Sequence, residues 1–63
     1  MAPVGIGERL RSAREARGLS LDEIEAGTRI RRRFLEALEA EAFDQLPGGA
    51  YARGFLRTYA SYL

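Results

Sequence analysis

The sequence predicts an all-α fold: a compact bundle of about five short helices. Three observations lead there. Ala, Leu, Arg and Glu dominate the composition, and these residues favour helix. Apolar residues recur at three- and four-residue spacing in several separate stretches. Glycine, proline and capping residues then punctuate the stretches where helices would start and stop.

With 63 residues the chain makes one domain near the lower size limit, which buries only about 60% of the surface it exposes unfolded. It contains no cysteine and no histidine, so neither a disulfide framework nor the usual ligands of a structural zinc site are available. The apolar core must hold the fold alone. All ten basic residues are arginine and the formal net charge is +1, which gives no global attraction to nucleic acid or to an anionic membrane. Residues 1–35 carry eight arginines against five acids, and residues 36–63 carry two against four, a mild dipole. No apolar run is long enough for a transmembrane span or a signal-peptide core, so this stretch is expected to be soluble.

Residues 1–5 (MAPVG) lack periodicity and read as a flexible tail, leaving 6–63 as the folded domain. Gly5 and Gly7 suggest a phosphate loop only weakly, since Leu10 stands where a third glycine is needed. A first helix is expected over Ile6 to Arg17, with Ile6, Leu10, Ala13 and Ala16 on its apolar side, and Gly18 stops it. Ser20 and Glu23 form a capping box that starts a second helix, running to about Ala26 with Leu21 and Ile24 buried. Ile30, Phe34, Leu35, Leu38 and Ala42 mark a third helix over about Arg31 to Ala40. Two short helices joined by a tight turn, after a preceding helix, make a helix-turn-helix unit.

Asp44 to Gly49 (DQLPGG) is the clearest break, and a final helix then runs to Leu63. Nothing ends that helix, which suggests a chain cut from something longer. It holds four of the six aromatic residues. Ala52, Leu56, Tyr59, Ala60 and Leu63 fall on one arc, and Tyr51, Phe55, Thr58 and Tyr62 form a neighbouring stripe. Arg53, Gly54, Arg57 and Ser61 take the remaining side. The two apolar arcs together exceed what docking on a small core needs, so one should stay partly exposed. A row of rings at that spacing either serves a partner or packs entirely inside the domain.

The run GERLRSAREARGLSLDEI resembles the opening of the Xre/Cro, lambda-repressor-like type of helix-turn-helix domain. The continuation TRIRRRFLEALEAEAFDQLPGGAYARGFLRTYASYL resembles the RodZ-like family of bacterial cell-shape proteins. What the resemblance implies is a cytoplasmic helical domain that binds the actin-like filament protein MreB and links it to the inner membrane. Family members attach through a transmembrane helix that this chain lacks. The resemblance places the filament contact on Tyr51 and Phe55, with Arg53, Arg57 and Tyr59 as neighbouring candidates. The Xre/Cro-type resemblance also implies a structural ion pair between Arg14 and Glu39, against which Glu41→Ala would be the control substitution.

DNA binding is the rival reading. Arg31, Arg32 and Arg33, together with Arg29, stand where a repressor presents its recognition helix to the major groove. The plain alternative is a solvated helix end, with Asp22, Glu23 and Glu25 as neutralising neighbours. Against base reading, FLEALEAE offers no Asn, Gln, Ser or Thr, Phe34 is bulky, and Arg29 fills a turn position where DNA-binding members commonly have glycine. An enzyme is not indicated: Ser12, Ser20 and Ser61 have no histidine to activate them. No cofactor, metal or small-molecule substrate is implied.

Overall fold

The computed structural model describes residues 5–63; residues 1–4, most of the expected tail, lie outside the described residues. Four α-helices, α1 (Ile6–Ala16), α2 (Leu21–Thr28), α3 (Arg32–Ala40) and α4 (Gly49–Tyr62), follow one another, with a 3-10 turn at Phe43–Gln45 before α4. Leu10, Ile24, Ile30, Leu35, Ala37, Leu38, Leu46 and Tyr59 are buried and form one cluster.

α1 begins at Ile6, where the sequence places it, with Gly5 as its extended N-cap. Of the expected apolar row only Leu10 packs inward. Ile6, Ala13 and Ala16 are exposed, and the contact face is Gly7, Leu10 and Arg14. Gly7 lies so near α3 that a Cβ there would collide with the backbone carbonyls of Leu38 and Glu39. The missing side chain is therefore what lets the two helices approach. Glu41 is not a bystander either, because its carboxylate accepts the backbone N–H of Gly7 at 3.2 Å and caps the start of α1.

The capping box of α2 is complete. The Ser20 hydroxyl accepts the Glu23 N–H at 3.1 Å, and the Glu23 carboxylate accepts the Ser20 N–H at 2.9 Å. α2 continues two residues past Ala26, since the Thr28 hydroxyl donates to the Ile24 carbonyl at 2.7 Å and accepts the Ile30 N–H at 3.2 Å. Gly27 in this last turn lies under the ring of Tyr62, where a Cβ would clash. The turn into α3 is made by Arg29 at φ 66°, a left-handed conformation that costs a side-chain-bearing residue roughly 1–2 kcal/mol. Arg29→Gly removes that cost and adds flexibility to the unfolded chain. The expected net result is stabilisation of about 0.5–1 kcal/mol, read as a higher midpoint in thermal unfolding.

One side-chain cluster ties four parts of the chain together. Arg14 of α1 grips Glu39 of α3 with two bonds, Nε to Oε2 at 2.7 Å and Nη2 to Oε1 at 3.2 Å. Its Nη1 donates to the Leu19 carbonyl at 2.9 Å, in the turn before α2. From α4, the fully buried Tyr59 donates its hydroxyl to Glu39 Oε2. The bond to Glu39 holds the Arg14 guanidinium above its ordinary pKa. Burial first, and then the bond to Glu39, push the Tyr59 phenol well above its ordinary value of 10.0. The fold thus favours the neutral phenol, so its contribution is complete below pH 10 and is lost as the pH rises above it. Stability measured in denaturant should decline above about pH 10, and Tyr59→Phe should flatten that decline.

Candidate functional site

α4 lies against the core through Tyr59, with Ala52, Leu56 and Leu63 half-buried beside it. The stripe to one side of this seam is open. Tyr51 is 54% exposed and Tyr62 41% exposed, whereas Phe55 is half-buried. Phe55 owes its partial cover to Phe34 of α3, on which it stacks with ring centroids 5.7 Å apart and planes inclined at 26°. Tyr51 continues the row at 5.7 Å from Phe55, tilted by 50°. At the other end, the Arg33 guanidinium sits 5.0 Å above the centre of the Phe34 ring.

The result is a strip of Arg33, Phe34, Phe55 and Tyr51 that crosses from the start of α3 to the start of α4. Stacked rings hold one another in place, so a partner meets a surface already ordered. Phe34 is the member that sequence reasoning assigned only to the core of α3. The signal for its second role is that α3 carries more bulky apolar residues than its buried arc of Leu35, Ala37 and Leu38 requires.

The other expected contacts separate. Tyr59 is in the core and holds Glu39, so it offers no surface to a partner. Arg53 is two residues from both Tyr51 and Phe55, which puts it about 160° round the helix from each. It lines a different face, together with Phe43, Ala52 and Leu56. Arg57 follows Arg53 by one turn, so neither arginine borders the aromatic strip.

The arginines at the head of α3 are largely engaged within the fold. Arg32 donates from its backbone N–H to Glu25 at 3.0 Å, and from its guanidinium to Asp22 at 3.1 Å and Glu36 at 3.2 Å. The charge of Asp22 and the bond to Glu36 hold this guanidinium above its ordinary pKa. Asp22 and Glu25 are thus the neutralising neighbours, and Glu23 serves the capping box instead. Arg33 covers Phe34, which leaves Arg31, the N-cap of α3, exposed and outside any ion pair among the described residues.

The family description "Helix-turn-helix domain" matches residues 9–63. The chain belongs to this helix-turn-helix domain family. Among relatives of this helix-turn-helix domain, "Cytoskeleton protein RodZ" of Streptococcus pneumoniae R6 is 56% identical over 55 residues, covering 87% of this chain and 20% of that protein. "Uncharacterized membrane protein YmfM" of Bacillus subtilis 168 is 45% identical over 42 residues, covering 67% of this chain and 15% of that protein. The chain therefore spans a fifth or less of the length of these relatives, and in sequence it is a RodZ-like helix-turn-helix domain. No solved structure matches it significantly. No helix among the described residues is long and apolar enough to cross a membrane.

Proposed function

We propose that this helix-turn-helix domain is a protein-docking module of a cell-shape protein, and that it binds the actin-like filament protein MreB through Tyr51, Phe55 and Phe34. The observation that carries the reading is the exposure of Tyr51 at the end of a stack of rings. An exposed aromatic on a small domain is a surface that gains by being covered, and aromatic anchors dominate binding energy at protein interfaces. Likeness to a protein named for the cytoskeleton supports the choice of partner. Arg33, beside Phe34, supplies the polar edge of the contact. In a longer protein anchored in the inner membrane, such a domain would couple the filament to that membrane from the cytoplasmic side. The module works by binding alone and has no catalytic step.

Salt separates this reading from DNA binding through Arg31, Arg32 and Arg33. Three phosphate contacts would weaken about 40-fold between about 50 and 200 mM salt. Docking through rings should change by less than about threefold over the same range, because apolar burial is not screened. Co-sedimentation with purified filament protein, and a mobility shift on duplex DNA, each at both salt concentrations, make the comparison. DNA binding that falls steeply with salt, without filament binding, would overturn the proposal.

A further inference from the structure

The other flank of α4 is also incomplete. Phe43, Gly49, Ala52, Arg53 and Leu56 line an open depression of about 370 Å³ between the 3-10 turn and the first two turns of α4. Its floor is apolar, since Ala52 and Leu56 rest half-buried on the core, and Phe43 at one wall is 37% exposed. Arg53 lines the depression, and Arg57 follows it by one turn of α4. Arg53 and Arg57 are the only charged residues in α4, and neither is joined to a carboxylate among the described residues. Arg11 and Arg14 each hold one carboxylate and Arg32 holds two, whereas the other arginines hold none among the described residues; Arg53 differs from these in lining an apolar depression. Two like charges one turn apart disfavour the helix that carries them, so the arrangement gains nothing within the fold.

We propose that this depression is a second docking site, distinct from the aromatic strip, and that its occupant is an acidic amphipathic helix of a partner protein. A bulky apolar side chain of that helix fills the space over Ala52 and Leu56. Carboxylates one turn apart then face Arg53 and Arg57, because a helix advances about 6 Å in four residues on both sides of the contact. Charge complementarity selects the acidic partner, and the apolar floor supplies the anchor. A flat anionic membrane could pair with the arginines but would leave the concave floor unfilled. With the buried Tyr59 seam between them, the two flanks of α4 can be occupied at once.

The test selects peptides of about sixteen residues from a random display library on the immobilised 63-residue chain, then measures the selected peptides in solution. The expected peptides carry Asp or Glu four residues apart beside Leu, Met or Phe. They should bind Arg53→Glu/Arg57→Glu at least tenfold more weakly than the parent, and Tyr51→Ala within twofold of it. Both arginines are exposed, so the double variant should keep its helical circular dichroism; Arg53→Gln/Arg57→Gln, which only removes charge, should lie between it and the parent. Several outcomes would overturn the proposal: peptides without acidic bias, binding that survives both double variants, or binding lost with Tyr51→Ala. So would a dimer of this chain that the double variant dissociates, or adsorption to phosphatidylglycerol vesicles without peptide binding.

Discussion

Glu39→Ala should destabilise the domain by about 2–3 kcal/mol, because truncating one partner of a buried ion pair strands the other charge. The side chains of Arg14 and Glu39 are only 13% and 9% exposed. Removing the carboxylate also leaves the Tyr59 hydroxyl without its acceptor in the core, a second cost of the same origin. A single core of this size rarely supplies more than about 3–5 kcal/mol in total. The substitution would therefore consume about 40% or more of the stability, and the thermal midpoint should fall by roughly 10–20 °C. Asp44→Ala is the fitting reference, since Asp44 is exposed and makes no ion pair among the described residues; it should stay within about 0.5 kcal/mol of the parent. Glu41→Ala would be a poor reference, because Glu41 caps α1. Equal effects of Glu39→Ala and Asp44→Ala would mean that the cluster contributes nothing beyond solvated charge.

The second large effect is on binding. Tyr51→Ala removes the most exposed ring of the strip, and loss of an aromatic anchor costs about 2–4 kcal/mol, or roughly 30-fold and more in affinity. Folding should change by no more than about 1 kcal/mol, the worth of its contact with Phe55. Gly54 offers a companion test with the opposite effect on the fold. It lies mid-helix, three residues after Tyr51, and an added Cβ would meet nothing. Glycine there costs the helix about 1 kcal/mol relative to alanine, so Gly54→Ala should stabilise the free domain by about that amount. It should nevertheless weaken filament binding, because the bare backbone beside Tyr51 admits close approach of a partner. Unfolding midpoints and binding isotherms of the two variants would show both effects in separate readouts.

Much of the fold was legible because its signals are local. The Ser20 and Glu23 box, the Gly18 stop and the break before Gly49 depend on neighbours within a few residues, and the helices begin or end within about two residues of those marks. The packing face of α1 was legible only at Leu10. Counting apolar side chains favours Ile6 and Ala13, whereas the contact is made by a residue with no side chain, Gly7, whose importance depends on where the α3 backbone passes. The turn at Arg29 was marked by its position, where glycine is common in DNA-binding members, but its residue type argues against the left-handed conformation it adopts.

The site divides in the same way. Helical spacing alone separates Tyr51 and Phe55 from Arg53 and Arg57, so the four expected contact residues lie on two faces of α4. Phe34 could not be added by spacing, since its contact with Phe55 spans 21 residues and depends on the packing of α3 against α4. For Tyr59, the sequence gives an aromatic ring on the buried arc, but its bond to Glu39 depends on two distant helices meeting at Arg14.

The most direct measurement is co-sedimentation of the 63-residue chain and its Tyr51→Ala variant with the purified filament protein at moderate salt, after circular dichroism has verified that both are folded. The account predicts that the parent pellets with the filaments and that the variant stays in the supernatant at the same concentration. Equal pelleting of both chains, or of neither, would contradict it.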